Sequence, residues 1–163
     1  MRRAPFRVGV ESLESRAVLS TAHAALVVGH GLSLHGRGTG AVVSLHAIPN
    51  GSYETVSELS GTIRALGPVA AEVVADFAPN QFQIPRGTAL IVDQAGDELF
   101  ADVTGGFKIP RHGATHATGR YHLAIVGGTG AFAGATGTGH IDVLQNVSNG
   151  HLTFAIGGRV EHP

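Results

Sequence analysis

The chain has 163 residues, of which 43% are hydrophobic, 14% charged and 6% aromatic, and its formal net charge is −1 at pH 7. This composition is too apolar for a disordered chain, and the size suits one domain. A faintly acidic chain lacks the basic surface that phosphate neutralisation requires, so we expect no nucleic-acid partner, and the absence of cysteine excludes disulfides and thiolate chemistry.

The first twenty residues have features of a protein-export signal. The basic start MRRAPFR is followed by a short apolar run and by Ala22-His23-Ala24, a triplet typical of signal-peptide cleavage sites. The segment VESLESRAVLS, Val10–Ser20, resembles the LExR-x-LLS motif at the front of many exported planctomycete proteins, with the matching residues Leu13, Glu14, Arg16, Leu19 and Ser20. The resemblance implies a periplasmic, cell-surface or extracellular protein, and an ordinary amphipathic helix is the alternative.

Residues 21–39 have the composition of a linker, because glycine and polar residues dominate and hydrophobic periodicity is lost. We therefore expect a boundary at residue 40. Residues 1–39 would form the export motif and linker, as a poorly ordered or short helical extension, and residues 40–163 would form the folded domain. No stretch reaches the roughly 18 consecutive apolar residues of a membrane helix, so no transmembrane segment is predicted.

Alternation of apolar and polar residues is the main pattern from residue 40 onward and predicts β-strands. In the first strand it places Val43, Leu45 and Ala47 on the apolar face. The eight segments with this pattern are Val43–Ala47, Glu58–Ala65, Val69–Phe77, Gly87–Asp93, Glu98–Gly105, Ala117–Ile125, Ile141–Val143 and Leu152–Ile156.

Eight amphipathic strands with short connections predict an all-β fold, an eight-stranded antiparallel up-and-down barrel whose closure removes exposed edges. In the last hairpin we expect Val143 opposite Leu152 and Ile141 opposite Phe154. The loop would then be Gln145–Gly150, in which Asn149-Gly150 suits a turn.

Three segments carry a resemblance to a known family. They are LSGTIRALG (59–67), GDELFADVTGGF (96–107) and TGRYHLAIVGGTGAFAGATGTG (118–139). Together they resemble the allene oxide cyclase and dirigent barrels, and most closely the uncharacterised bacterial members of that superfamily. The resemblance implies a barrel with an apolar interior, in which dirigent members guide a coupling partner and cyclase members bind an unsaturated fatty-acid epoxide. The polar cavity residues of the cyclases have no residue-by-residue match here.

The glycine run after the sixth predicted strand has two interpretations. Gly128-Thr129-Gly130 after an apolar strand is typical of a dinucleotide site, but Gly134 and the glycines beyond it would interrupt the helix that such a site requires. We therefore interpret Gly127, Gly128, Gly130 and Gly134 as structural turn residues and expect no cofactor.

Ten histidines suggest a metal site, with His112, His116 and His122 as the closest group in sequence. A glycine- and threonine-rich loop between the first two does not fix their imidazoles together, and His46, His122 and His140 fall on the polar face of their strands. We therefore expect these three on the outside of the barrel and predict no metal site.

The apolar faces define the predicted lumen. They contain no Asp, Glu, Lys, Arg or His, apart from Asp93, whose side the pattern leaves open, so no catalytic residue is predicted. The large residues expected to contact a ligand are Tyr121, Phe77 and Phe154. The small residues expected to line the lumen are Ala47, Gly61, Ala65, Ala71, Ala75, Ala101, Gly105, Ala117 and Gly119.

The leading functional hypothesis is an exported, non-enzymatic barrel that binds a small apolar ligand in its lumen. One alternative is an isomerase or cyclase of the allene oxide cyclase type. The other is a ligand-free structural or surface-interaction module, in which the small lumen residues only allow a tight barrel to close.

Overall fold

The computed structural model describes residues 31–49, 51–78, 83–108 and 115–161. The export motif, from Leu13 to Ser20, and His112 lie outside the described residues. The strands are β1 (Leu32–Ser33), β2 (Gly36–Ala47), β3 (Tyr53–Ile63), β4 (Gly67–Ala78), β5 (Gln83–Asp93), β6 (Glu98–Lys108), β7 (His116–Gly128), β8 (Thr136–Asn146) and β9 (His151–Glu161). One turn of 3-10 helix, Gly130–Phe132, lies between β7 and β8.

From β2 onward each strand pairs antiparallel with the next strand in the chain, and β9 returns to pair with β2. The sheet therefore closes into an eight-stranded antiparallel barrel, which confirms the predicted fold class. All turns connect neighbouring strands, as an up-and-down barrel requires.

The barrel begins before residue 40, so the predicted boundary is too late. Leu32 pairs with Val160 and Gly36 with Ile156, so β1 and β2 follow β9 in a single register as two parts of one bent strand. Between them the N–H of Leu34 donates to the carbonyl of Gly158 over 2.9 Å, and Leu34 is fully buried. The first inward residues of β2 are glycines. Because glycine has no apolar side chain, this part of the strand shows no alternation of apolar and polar residues in the sequence.

The predicted apolar residues of the first strand are exposed in the structure. A β-bulge between Val42 and Ser44 shifts the register against β3, and Val43 and Leu45 are 52% and 60% exposed. Ala47 is exposed as well, and Ala65 is exposed in the turn between β3 and β4. Leu45 and Ala47 lie opposite Thr55 and Tyr53, on the same face of β3 as the buried Leu59, so they keep the predicted face. They are exposed because this part of β2 extends beyond its pairing with β9, which ends at Ala41.

The last hairpin differs from its predicted register by two residues. Val143 lies opposite Phe154 and Ile141 opposite Ile156, so the connection shortens to residues 147–150. A shift of two keeps every side chain on its predicted face, which is why alternation alone could not detect it. The loop is closed by its own side chains, since Asn146 and Asn149 accept the N–H groups of Ser148 and His151.

The core is formed by inward side chains of β3 to β9 with Leu34, Phe132 and Ala135. Its largest fully buried members are Leu34, Ile63, Leu99, Ile141, Val73, Val103 and Val160. Burial of an apolar side chain of this size stabilises the fold by about 1.5–3 kcal/mol. The core therefore occupies the inside of the barrel.

Glycines of β2 allow the strands to approach closely on the inside. A Cβ atom at Gly38 would collide with the carbonyl oxygen of Ser60 and would lie 2.7 Å from Cε1 of Phe154. At Gly40 it would lie 2.7 Å from Cδ2 of Leu59. Because even one methyl group has no room there, glycine is required for the close packing of β2 against β3.

This packing predicts the effect of a single methyl group. We expect Gly38→Ala to lower the free energy of unfolding by roughly 1–3 kcal/mol, because the added carbon forces β2 away from β3 and Phe154. Urea denaturation measures the change, and Thr39→Ala on the exposed face of the same strand is the control, with an expected change within about 0.5 kcal/mol. Equal stability losses in the two variants would contradict the assigned packing.

Candidate functional site

The three predicted ligand residues occupy different parts of the lumen. Tyr121 and Phe154 are buried, at 5% and 8% exposure, and Phe77 is half-buried near the end of β4. Phe107 connects two of them, because its ring contacts that of Phe77 edge-on at 6.1 Å and that of Tyr121 at 5.7 Å between centroids. Phe154 lies apart from this aromatic trio, opposite Gly38 and Val143.

Phe107 is a lumen residue that the sequence analysis missed. The predicted strand ended at Gly105, whereas β6 continues to Lys108 and pairs Phe107 with Gly119. The alternation Leu99, Ala101, Val103 could have been extended through Gly105 to Phe107. The glycine pair before the phenylalanine concealed that signal.

The described lumen offers no acid–base pair. Its buried polar side chains are Tyr121 and Ser57, and burial raises the pKa of the Tyr121 phenol, so that this hydroxyl stays protonated. Asp93 is half-buried at the end of β5, opposite Val69, and its carboxylate accepts the N–H groups of Ala95 and Asp97 in the following turn at 2.8 and 3.0 Å. It acts there as a turn residue.

Several of the small residues predicted to line the lumen are closely packed, whereas Gly61, Ala71, Gly105 and Gly119 are half-buried. Of the predicted small lining residues, Ala75, Ala101 and Ala117 are each 3% exposed. A Cβ atom at Gly119 would lie 2.8 Å from the ring of Phe107. The small residues therefore accommodate large neighbours inside the barrel.

The glycine run lies where β7 ends and the 3-10 turn begins. Gly130 and Gly134 have φ values of +52° and +73°, and Gly127 has +151°, all of which favour glycine. Gly128 is required for another reason, because a Cβ atom there would collide with the carbonyl oxygen of Glu98 and lie 2.5 Å from Cβ of Phe132. A helix of three residues provides no dinucleotide site.

Two hydrogen bonds fix this connection against the preceding turn. The carboxylate of Asp97 accepts the N–H of Ala131 at 3.0 Å, and the hydroxyl of Thr129 accepts the N–H of Glu98 at 3.0 Å. They hold Phe132, which is 3% exposed, in the core. The run thus has a packing role in this part of the barrel.

The outer wall of β6, β7 and β8 carries an open polar groove of about 500 Å³. We call it the outer groove; it is lined by Asp102, Thr104, Arg120, His122, Leu123, Ala124, Thr138, Gly139, His140 and Gly158. His122 is the direct cross-strand neighbour of both Thr104 and His140. A second groove of about 520 Å³ shares Thr104, Arg120 and His122 and extends to Lys108.

An ion pair borders the outer groove. Arg120 donates to Asp142 through two nitrogens, at 2.6 Å to Oδ1 and 2.8 Å to Oδ2, and the two residues are cross-strand neighbours. The hydrogen bonds from Arg120 hold the pKa of Asp142 below its ordinary value, with a smaller contribution from the nearby histidines. The bidentate geometry orients the guanidinium along the wall.

His140 lies next to Asp142, with 3.9 Å between its Nε2 and Oδ2 of Asp142. Its ring lies over Gly157, where a Cβ atom would be 2.8 Å from the ring carbon Cε1. His46, His122 and His140 all lie on the outside of the barrel, as predicted. Within the described ranges, no group of three or more His, Asp or Glu side chains could hold a metal ion.

Comparisons of the chain with protein-family models, curated proteins and solved structures find no match. The resemblance to the allene oxide cyclase and dirigent barrels and the export motif therefore stay predictions. The described part of the chain contains no helix of the length and apolar character needed to cross a membrane.

The ion pair predicts a pH-dependent contribution to stability. Because the pKa of Asp142 is lower in the folded state, its ionised form stabilises the fold above the unfolded-state pKa, and this contribution disappears as the pH falls through the folded-state pKa. We expect Arg120→Ala to raise the pKa of Asp142 toward its ordinary value, as measured by NMR titration of the carboxyl carbon.

The matched control is Arg86→Ala, which removes the ion pair with Asp76 between β4 and β5. This control should leave the titration of Asp142 unchanged. Identical Asp142 titrations in the wild type and in Arg120→Ala would show that the bidentate pair is absent in solution.

Proposed function

We propose that this protein is a non-catalytic barrel module that interacts with a polar partner through the outer groove. The observation that carries the proposal is the contrast between the two sides of the wall. The inside is packed with apolar side chains, whereas the described outer wall of β6 to β8 carries an open groove with charged, hydroxyl and imidazole side chains in its lining.

The outer groove has the shape and chemistry of a recognition surface. Ala124 forms part of its floor, and Gly157 of the adjacent strand accommodates the ring of His140, so that the polar side chains stand around a depression. Thr104, Thr138 and the two histidines supply hydrogen-bond donors and acceptors that face solvent. The ion pair limits the motion of Arg120 and so reduces the entropy lost on binding.

The groove also has no excess of positive charge. Arg120 is opposed by Asp142, and Asp102 lies on the neighbouring strand at the same wall. Such a surface suits a partner with both donors and acceptors better than a polyanion, which would require a basic stripe. This is consistent with the net charge of −1.

An apolar ligand in the lumen is the second candidate function. The aromatic trio favours it, because Phe77 and Phe107 are half-buried near the ends of β4 and β6, where an apolar molecule could contact their rings. Tyr121 would then orient the polar end of the ligand. The buried alanines and the close contacts at Gly38 and Gly119 argue against the space this requires.

Membership of the allene oxide cyclase and dirigent superfamily is a further part of the proposal. A dirigent-like role, in which the protein guides a partner without catalysis, agrees with a lumen that lacks an acid–base pair. The cyclase alternative is weaker for the same reason. We also propose export to the periplasm, cell surface or exterior, which rests on the N-terminal motif alone.

Site-specific photo-crosslinking tests the outer groove. With a photoreactive amino acid at Thr104, we expect a discrete crosslinked species in cells that produce the full chain, because this position lies in the groove. The matched control carries the same amino acid at Thr62, an exposed residue of β3 outside the groove, and should give no such species. Combining Thr104 labelling with His122→Ala should reduce the yield severalfold.

The same crosslinked species at both positions, or none at Thr104, would contradict an interaction at the outer groove. Mass spectrometry of the Thr104 product identifies the partner and shows whether it is polar.

A further inference from the structure

The seam between β2 and β9 ends before β2 does. β9 pairs with β2 from Gly36 to Ala41, and the N–H of Val42 then donates to the carbonyl of Gly150 at 3.1 Å. β9 begins at His151, so the seam ends there. β2 continues to Ala47, paired with β3 alone among the described residues.

Residues 43–47 therefore form a short sheet edge at one end of the barrel; we call them the β2 edge. The bulge between Val42 and Ser44 bends the strand out of line with β9 at this point. Backbone N–H and C=O groups on such an edge are a template for another extended strand.

Exposed apolar side chains are concentrated at the same corner. Val43 and Leu45 on the edge are 52% and 60% exposed, and Tyr53, opposite Ala47, is 37% exposed. Val147, in the loop that contacts Val42 through Gly150, is 50% exposed. Four of the seven large exposed hydrophobic residues in the described ranges thus lie around the β2 edge.

The lack of charged residues on the β2 edge indicates the kind of partner that it fits. Residues 42–49 have the sequence VVSLHAIP, without Lys, Arg, Asp or Glu, so the edge lacks the charges that commonly prevent edge-to-edge pairing. A two-fold antiparallel contact places the residue at the axis next to its own copy, where a charged residue would meet a like charge. A neutral, apolar edge satisfies this condition, whereas it gives a charged peptide no specific contact.

We propose that the β2 edge is the contact of a symmetric dimer, in which residues 43–47 of two copies pair antiparallel about a two-fold axis near Leu45. The pairing satisfies the backbone groups of the edge and buries Leu45 and Val43 against the second copy. A contact of about five residues per chain is small, so the dimer is weak and dissociates on dilution. It leaves the outer groove of both copies free, because the groove lies on β6 to β8.

Hydrogen exchange of the full chain tests the dimer directly. We expect the amides of residues 43–47 to become at least tenfold more protected as the protein concentration rises, in parallel with dimer formation in sedimentation velocity. Protection that does not depend on concentration would show that the edge is covered within one chain and would overturn the proposal. So would a monomer whose edge amides exchange freely at every concentration.

A pair of lysine variants locates the contact. Leu45→Lys places two like charges beside the two-fold axis and should weaken dimerisation at least tenfold, while its exposure lets the fold survive. Val126→Lys is the matched control, since Val126 is a 57% exposed strand residue of β7, and it should dimerise like the wild type. Unchanged dimerisation of Leu45→Lys, or an equal loss in both variants, would overturn the assignment.

Discussion

Closing an eight-stranded sheet brings the inner surfaces of its strands together, and the side chains on that surface must fit the space that remains. In this protein glycine occupies inner positions where neighbouring backbones come closest, as Gly38 and Gly40 do against β3. The space gained there is taken by large side chains from elsewhere on the wall, such as Phe154 over Gly38 and Phe107 over Gly119. The filled lumen follows from this exchange of small and large residues.

Because the interior is packed with apolar side chains, the groups available for polar interactions lie on the outside of the barrel. The ionisable groups with a resolved partner, such as Arg120 with Asp142, lie on the outer wall, and the buried tyrosine is kept protonated by its surroundings. Ala124 is part of the lining of the outer groove, and the ring of His140 covers Gly157 beside it. The outer groove and the β2 edge are therefore separate surfaces, one polar and concave, the other apolar and linear.

Alternation in the sequence predicted the all-β class, the antiparallel order and the inward faces of most strands, because burial on one face imposes a period of two. It missed the start of β2, where the inward residues are glycines, and it did not predict the exposure of Val43 and Leu45, where β2 extends beyond β9. Alternation of apolar and polar residues did not predict the outer groove, for a different reason. Arg120 and Asp142 are 22 residues apart, and only the register of β7 against β8 makes them neighbours.

The central claim is that the lumen is filled, and titration of the full chain with an apolar fluorescent probe tests it most directly. Ala71 faces inward between Leu59 and Ile91, and Ala70 beside it is exposed, so Ala71→Phe and Ala70→Phe form a matched pair. A filled lumen predicts no saturable probe binding in the wild type or in either variant. Saturable binding of one probe per chain that is lost in Ala71→Phe and kept in Ala70→Phe would contradict it.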